Sequence, residues 1–305
     1  MRIVVTGSSG FVGRHLLRRL VAEGHVLTAV TRRQSAGTLE AGIARKIEVD
    51  DLACEVPDVD AMSGHDMVIH LAANIRQAGR AASPEASETA SMTRNIAQAA
   101  RDAGIPRFLL VSSMSATLAQ AKAANARAYG FEKLAAERIA VETLDAGQHL
   151  LILRPPAIYG AGMTGSLGTL AALVRRGLPI PLGLAKARRS YLAIENLGDL
   201  VAAIARMSDG AWQSLEGQQF EPDDGNLVAT DDIVRAIAAH LGRKARLVPV
   251  PLFLLRLAGA MTGRRDLISG AIDPLATSGN AVLSRETGWE PAVAMPESLK
   301  FLARP

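Results

Sequence analysis

The sequence predicts an α/β protein built on a doubly wound parallel sheet, with a smaller C-terminal region after it. Two observations predict this fold. Short apolar runs alternate with helix-like segments through the first half of the chain, and several runs are continuously apolar, as in "RFLLVSS" (107–113). Continuous apolar runs are typical of parallel strands that are buried on both faces. The predicted strands are Ile3–Thr6, Leu27–Thr31, Lys46–Val49, Met67–Leu71, Phe108–Ser112 and Leu150–Arg154.

The local composition of the sequence changes after Pro155-Pro156, where glycine and proline become frequent. We therefore predict a first domain over residues 1–154 and a second region over residues 155–305. A segment near 190–208 has a regular helical pattern, and we expect it to return to the first domain.

The composition is that of an ordinary globular chain, and it disfavours several function classes. The chain has 305 residues, of which 49% are hydrophobic and 21% are charged, and its net charge of +4 is dispersed. Nucleic-acid-binding proteins usually combine a basic face with aromatic residues, and aromatics are only 4% here. Cys54 is the only cysteine, which excludes an intrachain disulfide and disfavours a cysteine-based metal site. We predict no nucleic-acid partner and no metal.

Neither a leader peptide nor a membrane span is predicted. The first residues run directly into a strand and leave no room for a signal peptide. The most apolar later stretch, 248–263, is too short to cross a bilayer and is interrupted by Arg256. We interpret it as a buried helix or a helix of the second region, with contact to a membrane surface as the alternative. These observations predict a cytoplasmic protein.

Three glycines stand between the first predicted strand and an amphipathic helix, in "GSSGFVG" (7–13). Gly7 permits a tight turn, Gly10 lets a diphosphate approach the backbone, and Gly13 lets the helix and strand pack closely. The start of the helix then offers N–H groups and a positive dipole end to the phosphates. We predict a dinucleotide site here, and the alternative is a plain strand-to-helix turn.

The end of the second strand indicates which dinucleotide is bound. An acidic residue there would hold the ribose 2′-hydroxyl of NAD, whereas arginine suits the 2′-phosphate of NADP. The sequence reads Thr31-Arg32-Arg33 at this place. We predict NADP as the preferred cofactor, with NAD as the alternative and with simple surface charge as the other interpretation of the two arginines.

A tyrosine and a lysine four residues apart, Tyr129 and Lys133 in "YGFEK", share one face of a predicted helix. A free tyrosine has a pKa near 10 and transfers protons poorly at neutral pH. A neighbouring ammonium lowers that pKa, so Tyr129 could pass a proton to or from a carbonyl oxygen. By itself the pair could also be an exposed helix pair.

These motifs together resemble the extended short-chain dehydrogenase/reductase (NAD-dependent epimerase/dehydratase) family, from its TGxxGxxG turn to its C-terminal GWxP, here in "TGWEP" (287–291). By this resemblance Ser113, in "LLVSSMS", is the third catalytic residue and orients the substrate oxygen, with Ser115 as the alternative; Ser112 and His70 are structural. The resemblance also implies that Asn95 belongs to the central helix, where Thr89 replaces a usual asparagine. The cofactor contacts that it implies are Gly7, Ser9, Gly10, Phe11, Val12, Gly13, Arg32, Arg33, Asp51, Leu52, Leu71, Ala72, Ala73, Tyr129, Lys133 and Pro156.

The second half resembles the nucleotide-sugar members of this family. "LRPPAIYGAG" (153–162) and "RRSYLAIENLGDLVAAI" (188–204) carry this resemblance, and it implies that Arg189 contacts the substrate diphosphate. The subgroup most similar in these segments is the bacterial reductases of UDP-linked 4-keto-6-deoxy-N-acetylhexosamines. We therefore expect an NADPH-dependent reductase of such a sugar. The alternatives are a UDP-hexose 4-epimerase with retained NAD, a reductase of non-nucleotide carbonyls or hydroxysteroids, and a non-catalytic dinucleotide sensor. Relatives also imply a homodimer formed through the helix of Tyr129.

Overall fold

A sheet of parallel strands forms the centre of the first of two structural units. The computed structural model describes residues 1–35, 42–163, 165–263 and 265–303. The first unit comprises Met1–Pro155, Leu197–Glu221 and Ala281–Trp289. Numbered in chain order, its strands are β1 (Arg2–Thr6), β2 (Val26–Arg32), β3 (Ile43–Val49), β4 (Met67–His70), β5 (Arg107–Val111), β6 (His149–Leu153) and β9 (Gln219–Phe220).

The strand order places a crevice between β1 and β4. Within the described residues the sheet has seven strands in the order β3-β2-β1-β4-β5-β6-β9, and all neighbouring strands are parallel. The chain runs outward from β1 to β3 and then returns to the other side of β1 for β4. Ligands of open parallel sheets bind where the order reverses in this way, outside the carboxyl ends of the strands.

Helices bury both faces of this sheet. The helices of the first unit are α1 (Phe11–Ala22), α2 (Val59–Met62), α3 (Glu88–Asp102), α4 (Met114–Gln120), α5 (Ala128–Thr143), most of α7 (Ile194–Ala205), α8 (Asp209–Ser214) and α12 (Ala281–Thr287). Consecutive residues of β1, Ile3, Val4 and Val5, are all fully buried. Because side chains alternate across a strand, this burial requires cover on both faces. Leu16 and Leu20 of α1, four residues apart, are buried by the same packing.

The second unit comprises Pro156–Asn196, Pro222–Asn280 and Glu290–Pro305. A sheet in the order β10-β8-β7 pairs β8 with β7 in parallel and with β10 antiparallel. Tyr159, Ile233 and Ile237 are fully buried in its core. Its elements are β7 (Ala157–Tyr159), α6 (Gly165–Arg175), β8 (Arg188–Ala193), β10 (Leu227–Ala229), α9 (Thr230–His240), α10 (Leu252–Met261), α11 (Arg265–Ile272) and a 3₁₀ segment Glu297–Ala303. Shorter 3₁₀ turns of the first unit are Arg33–Ser35, Ile75–Gln77 and Pro84–Ala86.

The structure confirms the predicted fold class, and all six predicted strands are present. β3 begins at Ile43 rather than Lys46, and β4, β5 and β6 each end one residue before the predicted end. The chain re-enters the first unit at Leu197 and again at Ala281. The stretch 248–263 contains a helix, and no helix in the described part of the chain is both long and apolar enough to cross a bilayer.

Candidate active site

A cavity of about 820 Å³ lies in the first unit where the loops after β1 and β4 meet. Strand β1 ends at Thr6 and β4 ends at His70, and these two residues are paired in the sheet register. The loops that follow therefore open at the same edge of the sheet. The cavity is lined by Gly7, Ser8, Ser9, Gly10, Arg14, Leu17, Val30, Thr31, Arg32, Ile43, Val49, Asp51, Leu52, Leu71, Ala72, Ala73, Asn74, Ile75, Arg76 and Met92.

Gly7 and Gly13 are required by the packing of the loop itself. Gly7 has a φ of 69°, and a Cβ there would lie 2.9 Å from the backbone nitrogen of Ala72. A Cβ at Gly13 would lie 2.3 Å from the carbonyl oxygen of Gly7. Gly10 differs, because its Cβ would lie 3.3 Å from that oxygen and the residue is exposed on the cavity wall. The first and third glycines thus serve the fold, and the second keeps the backbone accessible.

The start of α1 is suited to an anion. Among the described residues no side chain caps this helix, and its first turn holds no acidic residue. Its initial N–H groups and the positive end of its dipole are therefore available to a ligand. Arg14 in the first turn lines the cavity, and its Nη1 donates to the carbonyl of Ser9 at 2.7 Å.

His70 is buried beside the cavity and serves the structure through hydrogen bonds to two threonines. Thr6 Oγ1 accepts the N–H groups of Leu71 and Ala72, each at 3.2 Å, so its hydroxyl proton is available to donate to His70 Nδ1 at 2.7 Å. His70 Nε2 then carries a proton and donates to Thr93 Oγ1 at 3.1 Å. Burial, with the charge of the neighbouring lysine on α5, lowers the pKa of His70 to about 3. The neutral imidazole accepts the Thr6 hydroxyl proton, and the Thr6 oxygen in turn holds the N–H groups of Leu71 and Ala72 in the loop after β4.

Two side chains of α3 hold the other loops of the cavity. Asn95 Nδ2 donates to the carbonyl of Leu52 at 2.8 Å and so fixes the segment that follows β3. The hydroxyl of Thr89 accepts the N–H of Asn74 at 3.2 Å and so supports the loop after β4. Thr89 therefore supplies a contact to that loop although it replaces the asparagine that is usual in the family.

The two arginines after β2 have different surroundings. Arg32 lines the cavity, as does Thr31 before it. Arg33 is absent from the described lining, and its Nε donates to Asp50 Oδ1 at 2.7 Å in an exposed ion pair. The hydrogen bond and charge of Asp50 raise the pKa of Arg33. The structure thus separates two residues that the sequence placed together.

Tyr129 and Lys133 both lie on α5, near the carboxyl end of β5. The Nζ of Lys133 is buried and donates to the carbonyl of Val111, the last residue of β5, at 2.9 Å. Burial lowers the pKa of Lys133 to about 8, although the charge of Glu137 opposes this change. For Tyr129, burial and then the charge of Glu132 raise the pKa above its ordinary value. The expected lowering of the Tyr129 pKa is therefore not found, because burial and Glu132 both raise it. A raised pKa favours the protonated phenol, which is the form that a proton donor needs.

Ser113 caps helix α4, directly after β5. Its Oγ accepts the N–H of Ser115 at 3.1 Å, and a hydroxyl that accepts one bond keeps its own proton to donate. The helix of Tyr129 packs closely on this segment at Gly130, where a Cβ would lie 2.2 Å from the carbonyl oxygen of Ser115. This contact brings Ser113 and Tyr129 into the same neighbourhood.

A buried ion pair lies behind Ser113. Two nitrogens of Arg154 contact the carboxylate of Glu137, Nε at 2.9 Å and Nη2 at 2.5 Å. Ser112 donates its hydroxyl to the same carboxylate, which makes it structural. Arg154 Nη1 also donates to Thr117 at 3.2 Å and to Gln120 at 2.8 Å, both on α4. The ion pair therefore connects α5, the end of β6 and the loop that carries Ser113.

Two predicted contacts lie in the second unit. Pro156 is its first residue, just before β7. Arg189 lies on β8, is half-buried, and its Nη1 donates to the carbonyl of Asp273. The carboxylate of Asp273 also forms an ion pair with Arg256, whose Nη2 lies 2.9 Å from Oδ1.

Nine of the predicted cofactor contacts line the cavity, and the others do not. Those on its wall are Gly7, Ser9, Gly10, Arg32, Asp51, Leu52, Leu71, Ala72 and Ala73, and those not on it are Phe11, Val12, Gly13, Arg33, Tyr129, Lys133 and Pro156. Of the wall residues that the sequence interpretation did not assign to the cofactor, Arg14, Asn74 and Arg76 are those whose side chains carry nitrogen donors. The position of Arg14 on the wall could have been predicted from the sequence, since Arg14 directly follows the third glycine of the turn. Asn74 and Arg76 lie in an irregular loop, where no periodic pattern indicates which side chains face inward.

The residues present fit a dinucleotide. The turn between β1 and α1 leaves no room for side chains at Gly7 and Gly13, and the start of α1 lacks a side-chain cap. Among the described lining residues, Arg14, Arg32 and Arg76 are the guanidinium groups and Asp51 is the single carboxylate. A diphosphate is anionic and needs such backbone and guanidinium donors. Fold and cavity together thus define a protein of the dinucleotide-binding α/β class.

Comparison with known proteins identifies the family. The profile of the NAD dependent epimerase/dehydratase family matches residues 3–215, and the chain belongs to this family. The UDP-glucose 4-epimerase of Vibrio cholerae is 28% identical over 99% of this chain and 94% of its own length. The ceramide reductase of Caulobacter vibrioides is also 28% identical, over 96% of this chain and 86% of its own length.

Solved structures agree with the fold. The UDP-N-acetylglucosamine 4-epimerase from Bacillus cereus superposes with a TM-score of 0.71 at 16% identity, covering 100% of both chains. MoeE5 in complex with UDP-glucose and NAD superposes with a TM-score of 0.74 at 21% identity, covering 99% of this chain and 97% of the other. At these identities the likeness establishes the Rossmann-like architecture of the chain.

Proposed function

We propose that the protein reduces the C4 carbonyl of a UDP-linked 4-keto-6-deoxy-N-acetylhexosamine with NADPH. The observation that carries this proposal is the arrangement of Ser113, Tyr129 and Lys133 at the carboxyl end of β5. Strand β5 neighbours β4, whose following loop lines the dinucleotide cavity. Proton transfer and cofactor binding would therefore take place at the same edge of one sheet.

The proton steps follow from the side chains. The bound nicotinamide would supply the hydride. Tyr129, whose raised pKa favours the protonated phenol, would donate its phenolic proton to the carbonyl oxygen as negative charge develops there. Ser113 would donate a second hydrogen bond to that oxygen and orient it. The ammonium of Lys133, close behind the end of β5, would stabilise the phenolate that remains.

The preference for NADPH is supported by charge on the cavity wall. Thr31 and Arg32 line the wall after β2, where an NAD enzyme would present a carboxylate to the ribose. A guanidinium at that position can pair with a 2′-phosphate, and a charge-assisted hydrogen bond contributes about 1.5–3 kcal/mol. Arg33 would add little, because it pairs with Asp50.

This preference has a direct test with a matched control. Arg32→Ser should lower kcat/KM for NADPH by roughly tenfold to a hundredfold with little change for NADH, because one charge-assisted contact is lost. The neighbouring Arg33→Ser should leave the ratio of the two cofactors nearly unchanged. Equal effects of the two substitutions would contradict the assignment of Arg32 to the phosphate.

The nucleotide-sugar substrate is supported by the second unit and by the relatives. Arg189, on a strand of that unit, is the residue that we propose for the diphosphate, since a guanidinium binds phosphate oxygens as a planar fork. The full-length similarity to a UDP-glucose 4-epimerase supports a UDP-linked sugar. The ceramide reductase among the relatives supports reduction as a chemistry compatible with this sequence pattern.

The second candidate is a UDP-hexose 4-epimerase. The same three side chains would first take a proton from the C4 hydroxyl and later return it, with NAD retained between the two half-reactions. The Vibrio cholerae relative and the NAD in the MoeE5 complex favour this candidate. Arg32 on the cavity wall favours the reductase, since a retained NAD needs no partner for a 2′-phosphate.

The deciding experiment follows nicotinamide absorbance with purified protein, NADPH or NADH, and a UDP-4-keto-6-deoxy-N-acetylhexosamine. Oxidation of NADPH that depends on the sugar would establish the reductase. Absence of net oxidation, together with NAD released on denaturation and interconversion of UDP-glucose and UDP-galactose, would establish the epimerase. Reduction of a ketosteroid but of no nucleotide sugar would contradict both.

A further inference from the structure

Helix α10 is apolar on the side that faces away from the protein. At 100° per residue, Leu255 and Gly259 lie on one side and are buried. The opposite side, which we call the α10 face, is exposed by 43–80% and consists of Phe253 (67%), Leu254 (43%), Leu257 (55%) and Met261 (80%). Contiguous exposed apolar side chains of this kind normally mark a surface that contacts another protein or a membrane. The α10 face therefore has the composition of a buried surface in an exposed position.

Basic residues surround this face along the chain. Between residues 240 and 267 there are six arginines and lysines against one acidic residue, a net charge of +5, whereas the whole chain carries only +4. The remaining 277 residues are thus close to neutral. Arg243, Lys244 and Arg246 precede α10, Arg256 lies within it, and Arg265 begins the helix that packs on it. All five are exposed, and Arg256 is the one among them that the structure pairs with a carboxylate, that of Asp273.

Charge decides between the possible occupants of the α10 face. A second copy of the chain, meeting this face by twofold symmetry, would bring two surfaces of the same high positive charge together. The surface of a bilayer rich in anionic lipid offers the complementary combination, since apolar side chains enter the acyl boundary while lysine and arginine pair with the headgroups.

We propose that the protein binds the surface of anionic membranes through the α10 face and its flanking basic residues. The helix has 10 residues, so it would lie in the interface rather than cross the bilayer. Phe253 and Leu257, one turn apart, would supply most of the apolar contact. The arginines and lysines would supply the dependence on anionic lipid. This property is separate from the proposed reaction and does not require that reaction to be correct.

The experiment is vesicle flotation with the full chain. The vesicles contain phosphatidylcholine alone or phosphatidylcholine with phosphatidylglycerol, at low and at high salt. The wild-type chain should float with the anionic vesicles at low salt and lose binding at high salt. The double variant Phe253→Gln with Leu257→Gln should bind roughly tenfold or more weakly, because two apolar side chains no longer enter the interface. The pair Arg243→Glu with Lys244→Glu should also weaken binding.

The control is Val141→Gln, which changes an equally exposed apolar residue (58%) on α5 of the first unit. It should bind vesicles as the wild type does, and thermal unfolding of every variant should match the wild type because all these positions are exposed. Absence of wild-type binding to anionic vesicles would overturn the proposal. Undiminished binding by the Phe253→Gln, Leu257→Gln variant would also overturn it. A dimer in sedimentation that this variant abolishes, without vesicle binding, would assign the face to a second copy instead.

Discussion

Gly130→Ala tests whether the contact between α5 and the Ser113 segment positions the catalytic residues. In an ordinary helix interior this substitution stabilises by about 0.5–1 kcal/mol. Here the new Cβ would lie 2.2 Å from the carbonyl oxygen of Ser115, about 1.2 Å short of the ordinary contact distance of 3.4 Å. Both partners of this clash are backbone or attached directly to it, so no flexible side chain can move aside. Overpacking of this kind costs about 1–3 kcal/mol, which exceeds the gain in helix propensity.

The expected result is a loss of both stability and activity. The free energy of unfolding should fall by about 1–2 kcal/mol in urea titrations. Separation of Tyr129 from Ser113 by about 1 Å should lower kcat on the order of a hundredfold, because proton transfer requires close alignment. Binding of NADPH, measured by fluorescence, should change little, since the cradle after β1 is untouched.

Two other helical glycines provide matched controls. A Cβ at Gly210 in α8 would meet nothing within 4 Å, and one at Gly198 in α7 would meet Arg19 at an ordinary 3.5 Å. Gly210→Ala should raise the free energy of unfolding slightly and leave kcat unchanged. For Gly198→Ala, both quantities should lie between those of Gly210→Ala and Gly130→Ala. If Gly130→Ala retains normal stability and kcat, the reasoning that this contact positions Ser113 and Tyr129 is wrong.

The remaining predictions concern the side chains around the same contact. Tyr129→Phe should abolish turnover and leave NADPH binding intact; measurable turnover by this variant would remove Tyr129 from the catalytic role. The pKa of Lys133 is about 8, so its ammonium charge is lost above that pH. The value of kcat/KM should therefore decline above pH 8 in the wild-type enzyme. The residual activity of Lys133→Met should show no such decline. Glu137→Gln leaves the guanidinium of Arg154 buried without its carboxylate and should lower the free energy of unfolding by about 3–5 kcal/mol; a loss below 1 kcal/mol in urea titrations would show that the pair is not buried as described.

The Gly-rich turn shows how much of the fold is local information. A buried strand, a turn with three glycines and an amphipathic helix follow one another within the first 22 residues, and each leaves its own pattern in the sequence. The positions of the six predicted strands follow from apolar runs in the same way. The later strand Gln219–Phe220 could not be predicted from an apolar run, because two residues are too few to give a periodic signal.

The candidate site was predictable where a residue type has a local reason. Tyr129 and Lys133 were predicted from their helical spacing, and Ser113 was predicted from the resemblance of "LLVSSMS" to the family's motif. Arg32 and Arg33 are adjacent in sequence and looked equivalent. Only the folded chain distinguishes them, because Asp50 lies beside one and the cavity lies beside the other.

The sequence by itself determined the fold class and predicted the dinucleotide turn and the catalytic pair Tyr129 and Lys133, since strand burial, glycine spacing and helical spacing are properties of neighbouring residues. The tertiary structure decided what those residues contact. It paired Lys133 with a carbonyl of β5, placed Arg14 and Arg76 on the cavity wall, and joined Glu137 to Arg154 behind Ser113. The physical reason is that burial and charge pairing depend on groups from distant parts of the chain, and such groups become neighbours only when the sheet and its helices are assembled.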